Sequence, residues 1–150
     1  MSANNIPLPD LAATKRLAER LAPKLEKGDF LALSGELGTG KTEFARALLH
    51  ALGVKGDVPS PTFTLLQTYE VGGLLISHFD LYRLKSPAEL DELGLDDALA
   101  DGVTLIEWPE RAGGRLPEKR LTLGFTLFSD GARSCALEGS KDWNDRLKSI

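Results

Sequence analysis

A single cysteine, Cys135, stands among 150 residues. One thiol excludes an internal disulfide and any metal centre built on clustered thiolates. Its place in an apolar-alternating stretch predicts a packed, inert side chain. Long hydrophobic runs are missing too: nothing approaches the ~18 residues of a membrane span, and the N-terminus lacks a basic start followed by an apolar core. These absences predict a cytoplasmic chain with no membrane partner. Excess positive charge is also lacking, since Lys+Arg 18 against Asp+Glu 22 leaves a net charge of −4. A stand-alone nucleic-acid binder usually carries a basic stripe, so the first expectation is no nucleic-acid contact by this chain, and any RNA is expected to be met only indirectly, through a partner. Neither an internal repeat nor a low-complexity segment is present. The 42% apolar content is that of a globular chain, and the length suits one core. The expectation is one domain over 1–150, with a loose N-terminus over 1–9 and a C-terminal helix or tail over 140–150.

Against these absences stands one sharply defined stretch, Gly35-Glu36-Leu37-Gly38-Thr39-Gly40-Lys41-Thr42, which fits the pattern G-x-x-x-x-G-K-[ST]. Phe30-Leu31-Ala32-Leu33 runs into it as a buried strand. Out of it runs a helix with Phe44, Ala45, Leu48, Leu49 and Leu52 at helical spacing and Gly53 as its stop. Such a loop, held between a strand and a helix N-terminus, presents unpaired backbone N–H groups and the positive end of the helix dipole to an anion. The glycines let the backbone approach phosphate oxygens. Lys41 supplies a mobile positive charge to the β- and γ-phosphates, as a ligand contact rather than a core residue. The Thr42 hydroxyl can complete a Mg²⁺ shell.

The remaining elements follow from period and punctuation. Asp10 reads as the N-cap of a helix whose face is Leu11, Thr14, Leu17, Ala18, Leu21 and Leu25, with Pro23 interrupting it near Ala22. That helix is expected to pack on the core rather than line a nucleotide base. Phe63 to Glu70 alternates, with Phe63, Leu65 and Tyr69 on one side, and Gly72-Gly73 turns it into a second strand from Leu74 to Phe79. Ser86-Pro87-Ala88-Glu89 is a capping-box helix start, followed by short helices through Leu93 and around Asp96 to Ala100. Val103 to Ile106 is an apolar strand, and Arg111 to Pro117 a Gly-rich loop. Arg120 to Phe128 and Arg133 to Leu137 form a hairpin about Ser129-Asp130-Gly131. Ser140 caps a final short helix docking Trp143, Leu147 and Ile150.

A nucleotide hydrolase needs an acid at a strand end for Mg²⁺ and a group that orients the attacking water. Asp80 and Glu107 both sit at such ends, on the carboxyl edge where α/β folds bind ligands. Position alone leaves open which of them serves the metal. His78 reads as a satisfied strand histidine before it reads as a catalyst. Arg83 is either a phosphate contact or half of a surface ion pair. Trp108 either packs beside the nucleotide or fills the core.

Gly35 to Thr42, Ser60-Pro61-Thr62-Phe63, His78-Phe79-Asp80-Leu81-Tyr82-Arg83 and Ile106-Glu107-Trp108-Pro109-Glu110, in this order and spacing, closely resemble the bacterial TsaE (YjeE-type) ATPases. The resemblance runs from about Leu11 to Leu123 and leaves the last ~25 residues without a recognised motif. It implies a small P-loop α/β domain with a mixed, mostly parallel sheet, flanking helices and β-hairpins. It implies ATP or ADP with Mg²⁺, and action with a TsaD–TsaB complex in forming threonylcarbamoyladenosine on tRNA, where TsaD performs the transfer. By the resemblance, Lys41 is the phosphate-binding lysine, Thr42 the metal-ligating threonine and Glu107 the acid completing the Mg²⁺ site. Asp80 matches the catalytic aspartate and Thr62 a switch-like threonine near the γ-phosphate. Arg133 corresponds weakly to a C-terminal residue flanking the base, and Trp108 joins the loop residues 35–42 as a nucleotide contact.

The reading is a P-loop ATPase, slow alone and stimulated by its partner complex, since no second arginine is obviously aimed at the γ-phosphate. Two rivals come from other classes. A small-molecule kinase would use Asp80 to activate an acceptor hydroxyl and would need an Arg-bearing lid, for which Gly113-Gly114-Arg115 is the only candidate. A nucleotide-sensing module would do without useful hydrolysis, against which Asp80, Glu107 and Thr42 together speak.

Overall fold

The apolar pattern resolves into alternating strands and helices in a computed structural model that describes residues 4–148 and 150. Strand β1 (Asn4–Pro7) precedes helix α1 (Leu11–Leu21), whose N-cap Asp10 accepts a hydrogen bond from the Ala13 amide at 2.9 Å. Pro23 falls in a 3-10 turn, Ala22–Lys24, that ends the helix where a proline ring would clash with the preceding turn. Next come β2 (Phe30–Ser34) and α2 (Lys41–Leu52), then the hairpin β3 (Leu66–Val71) and β4 (Leu74–Asp80). Two short helices, α3 (Glu89–Glu92) and α4 (Leu95–Asp101), lead into β5 (Gly102–Glu107). A 3-10 stretch, Pro109–Arg115, then connects to the hairpin β6 (Leu121–Leu127) and β7 (Arg133–Gly139).

Among the described residues seven strands form one sheet in the order β1-β7-β6-β2-β5-β4-β3. The four central strands, β6, β2, β5 and β4, are parallel, and antiparallel hairpin partners flank them on both sides. The expected mixed sheet with a mostly parallel centre is therefore what forms. Register then sorts side chains by the period of two. Leu31 and Leu33 on β2, Val103, Leu105 and Glu107 on β5, and Ile76, His78 and Asp80 on β4 share one face. The apolar members of that face pack with Leu17, Leu21, Phe44, Leu48 and Leu49 of α1 and α2. Phe30, Ala32, Phe79 and Ile106 occupy the opposite face with Leu90, Leu95 and Ala98 of α3 and α4. One face of three adjacent parallel strands thus carries both acids and the histidine toward the helix that follows the phosphate loop.

Three expectations need correction. Residues 1–9 are not loose throughout: Asn4–Pro7 pairs antiparallel with β7, and the Leu8 amide extends the ladder to the Arg133 carbonyl at 2.9 Å. Pro7 is compatible with that role because an edge strand leaves one side of its backbone unpaired. Residues 1–3 lie outside the described residues. Phe63 to Leu65 is not strand either. The Leu65 amide bonds to the Pro61 carbonyl at 2.7 Å and Leu65 has φ +68, so the chain turns there and Phe63 is left 79% exposed. The face of α1 begins at Ala13, for Leu11 is 56% exposed.

The C-terminal segment docks as its apolar spacing predicts. A 3-10 turn, Lys141–Trp143, replaces a full helix, and Trp143 and Leu147 are buried. Gly139 makes room for it, because a Cβ there would run into the Trp143 side chain. Arg146 lies over the Trp143 ring at 3.7 Å and clamps Asp29 with two bonds of 2.6 and 3.1 Å, which raises its own pKa. A fork of this kind combines two charge-assisted bonds with stacking. Arg146→Ala is expected to destabilise the protein by about 2 kcal/mol, the range for a lost hydrogen bond to a charged group. Chemical denaturation checks this, and Arg146→Lys should recover only part of the loss. Cys135 is buried on β7, and burial pushes its thiol up to about 12, as expected for an unreactive side chain.

Candidate functional site

The loop after β2 sits where the strand pattern puts it, at the carboxyl edge of the parallel centre. Gly35 has φ +142, and a Cβ on it would meet the Phe125 carbonyl oxygen at 2.6 Å and Thr39 Oγ1 at 2.9 Å. Only glycine fits that crossing of loop and β6. Thr39 ties the loop from within, its hydroxyl donating to the Glu36 carbonyl at 2.8 Å. Helix α2 begins at Lys41, so its first N–H groups open into the same space.

That space is a cleft of about 370 Å³ lined by Leu37, Gly38, Thr39, Gly40, Lys41, Thr42, Glu43, Thr62, Asp80, Tyr82, Glu107, Trp108 and Arg133. Every residue assigned from the sequence to nucleotide, metal or catalysis borders it except Gly35 and Glu36. Gly35 forms the loop's floor, and Glu36 lies exposed on the loop. Leu37 belongs to the loop itself, Glu43 follows it in α2, and Tyr82 comes from the segment after β4. Tyr82 and the neighbouring Glu110 lie inside the motifs that carry the resemblance but take no role from them, and Glu43 belongs to none of them.

The two strand-end acids separate by partner. The Thr42 hydroxyl donates to Glu107 Oε1 at 2.9 Å, and His78 Nε2 meets Glu107 Oε2 at 2.7 Å. Asp80, one strand over, takes the Thr62 hydroxyl on Oδ2 at 3.0 Å and the Tyr82 amide on Oδ1 at 2.9 Å. Ser60 Oγ adds to Thr62 at 2.8 Å, so the segment before β3 is tied to Asp80 through side chains. The pairing of β4 with β5 sets Asp80 directly beside Glu107.

Lys41 borders the cleft yet is itself buried. Its ammonium bonds to the Gly35 carbonyl and stands 3.3 Å from the centroid of the Trp108 ring. Burial pushes its pKa below the ordinary lysine value, while Glu107, Glu110, Asp80 and Glu36 pull it back up. Trp108 takes a left-handed backbone angle, φ 59, and its ring tilts against Tyr82 at 5.1 Å between centroids. It faces the cleft and also packs against the apolar cluster behind it.

The arginines divide differently from the sequence expectation. Arg83 stacks over Phe63 at 4.3 Å, and Arg115 is held by Asp91 at 3.1 Å. The Gly113-Gly114-Arg115 segment, the only candidate for a kinase lid, does not border the cleft. Arg133, at the start of β7, does.

The donor set suits Mg²⁺. Thr42 Oγ1 and Glu107 Oε1 stand 2.9 Å apart, about the edge of an oxygen octahedron with bonds near ~2.05 Å. Among the described residues no group of three or more His, Cys, Asp or Glu side chains could hold a metal ion. A magnesium ion held by one or two protein oxygens, with phosphate and water completing the shell, needs no such cage.

A family model described as "Threonylcarbamoyl adenosine biosynthesis protein TsaE" matches residues 8–135. The chain belongs to the TsaE family. Curated proteins titled tRNA threonylcarbamoyladenosine biosynthesis protein TsaE are similar over most of its length. The one from Rickettsia felis is 42% identical over 125 residues, covering 83% of this chain and 73% of its own. The one from Haemophilus influenzae is 39% identical over 129 residues, 82% of each. The crystal structure of YdiB from Bacillus subtilis superposes with a TM-score of 0.83 at 29% identity, covering 99% of this chain and 93% of that one. The TsaE match begins at Leu8 and ends at Cys135. It therefore takes in all the cleft residues, while the docked C-terminal segment falls outside it.

Proposed function

We propose that this TsaE-family chain is a single-domain, Mg²⁺-dependent P-loop ATPase that serves threonylcarbamoyladenosine formation on tRNA. It acts in the cytoplasm beside a TsaD–TsaB-type complex and meets tRNA only through that complex. The observation that carries the reading is the Thr42–Glu107 contact at the mouth of the phosphate loop, with Asp80 on the adjoining strand. A chance glycine turn has no reason to bring a strand-end carboxylate onto its threonine.

In this reading the loop amides and Lys41 bind the phosphates of ATP or ADP, and Thr42 and Glu107 are the protein ligands of the metal. The bound magnesium ion supplies neutralisation of charge on the β- and γ-phosphates. Lys41 leaves the Gly35 carbonyl to meet the phosphates and stabilises the charge that grows during transfer. Asp80 holds water in line once Thr62 turns from its carboxylate toward the γ-phosphate. Trp108 and Arg133 flank the nucleotide. The test is the ATPase rate of the protein alone, then with a purified TsaD–TsaB complex, then with tRNA added. A slow basal rate that the complex raises is expected; phosphate appearing on a metabolite instead of water would transfer the case to the kinase reading.

The Trp108–Lys41 contact supplies a direct binding signal. Nucleotide phosphates draw the ammonium off the indole face, removing a charge 3.3 Å from the ring. Mg·ADP is expected to shift tryptophan emission in the parent and in Trp143→Phe, and to leave Trp108→Phe silent. Trp143 is packed in the other apolar cluster, beneath Arg146. A signal lost with Trp143→Phe and kept in Trp108→Phe would remove Trp108 from the nucleotide site.

A further inference from the structure

We infer that His78 is the positioning residue of the metal's carboxylate: its Nε2–H fixes Glu107 Oε2, so that Oε1 alone is presented to Thr42 and the ion. The inference rests on the reading of Thr42 and Glu107 as protein ligands of Mg²⁺.

The geometry is a short chain of contacts across three elements. Thr42 at the start of α2 bonds Glu107 Oε1 at 2.9 Å, and Glu107 Oε2 meets His78 Nε2 at 2.7 Å on β4. His78 pairs in register with Leu105, two residues before Glu107, which makes the two side chains diagonal neighbours on one face of the sheet. Each is only 1% exposed. A carboxylate so deeply placed must have both oxygens partnered or bear a large desolvation cost.

The unpartnered nitrogen of the ring decides the direction of that bond. Among the described residues His78 Nδ1 is buried without a hydrogen-bond partner. A proton there would be a buried donor facing no acceptor, whereas a proton on Nε2 has Glu107 Oε2 at 2.7 Å. The ring therefore donates through Nε2 and leaves its bare nitrogen inward. A carboxylate free to spin could turn either oxygen to the ion or engage Thr42 with both. Pinned by His78, it offers one oxygen in one direction. Groups that orient a ligand in this way typically carry about 10–100-fold in metal affinity.

The experiment titrates Mg²⁺ into protein with ADP present, by calorimetry, and measures ADP affinity without metal alongside. His78→Leu keeps apolar bulk and deletes the donor. It should raise half-saturating Mg²⁺ by about tenfold or more while metal-free ADP affinity holds, and it should lower the melting temperature, because Glu107 Oε2 is left buried without a partner. His78→Gln sets an amide N–H near the place of Nε2 and should restore most of the parent response. Should the leucine prevent folding, His78→Asn serves instead, since its shorter amide falls short of Glu107. A parent-like Mg²⁺ response in His78→Leu overturns the inference. So does a His78→Gln protein as defective as the leucine variant, or a loss of ADP binding that is equal with and without metal. Glu107→Gln in the same titration separates the two levels. If it leaves the Mg²⁺ response unchanged, the metal reading itself fails; if it shifts the response and His78→Leu does not, only the positioning role fails.

Discussion

Lys41→Ala is expected to lose ATP turnover by at least ~10²–10³-fold, the loss typical of removing one donor aimed at developing charge. Two features make the deletion costly. The Nζ lies among Glu107, Glu110, Asp80 and Glu36, and without it the cleft holds carboxylates opposite an anionic nucleotide. The same ammonium fills the space between the Gly35 carbonyl and the Trp108 ring. Because the side chain is buried, alanine also leaves a hole under the indole, so Lys41→Met is the cleaner companion. It keeps an unbranched apolar stem and removes the ammonium, with its charge and its bond to the Gly35 carbonyl. Both variants should remain folded by circular dichroism, with methionine nearer the parent in melting temperature. Turnover and ATP affinity at parent levels in either folded variant would count decisively against the phosphate-loop assignment.

Asp80→Asn and Glu107→Gln are expected to fail in different ways, because their carboxylates face different partners. Glu107→Gln retains the reach of the side chain but loses its charge next to Thr42, so the Mg²⁺ needed for half-maximal turnover should rise by at least about tenfold. High Mg²⁺ should recover part of the rate. Asp80→Asn leaves Thr42 and Glu107 in contact and should bind Mg·ADP like the parent, yet turn over roughly 10²–10⁴-fold more slowly, the range for a lost general base. Extra Mg²⁺ should not rescue it. An asparagine also offers one acceptor where Asp80 now serves both the Thr62 hydroxyl and the Tyr82 amide. Thr62→Ala separates the two effects: a similar loss of rate there would assign the defect to the threonine's placement, and a near-parent rate would leave it with the missing carboxylate. Identical Mg²⁺ dependence in Glu107→Gln and the parent would remove Glu107 from the metal.

The sequence by itself determined the parts whose signals are local. The loop from Gly35 to Thr42 is legible because phosphate binding needs fixed residue types at fixed spacing within eight consecutive positions. The buried strands at Phe30–Ser34 and Gly102–Glu107 are nearly unbroken apolar runs, as strands covered on both faces must be. The hairpins announce themselves by Gly72-Gly73 and by Ser129-Asp130-Gly131 between alternating segments. Such elements read as an α/β fold, and the resemblance to the TsaE family added the mixed, mostly parallel sheet.

Tertiary structure decided whatever depends on pairing between distant segments. Asn4–Pro7 becomes a strand only because β7 offers it an edge; four residues ending in proline hold no intrinsic preference that would reveal it. Leu65 takes a left-handed angle that breaks the alternation from Phe63 and turns the phenyl ring outward, because its backbone serves Pro61 and Asp80 instead of a strand partner. Asp80 and Glu107 look alike in sequence, each an acid ending an apolar run. What distinguishes them is the strand order, which sets β5 next to β2 and so brings Glu107, and not Asp80, onto Thr42. His78 gains its contact with Glu107 from the β4–β5 register, 29 residues away in the chain. Local chemistry can be read from neighbours in sequence; which carboxylate faces which hydroxyl is set by sheet order and register, where a one-residue slip would turn each side chain to the other face.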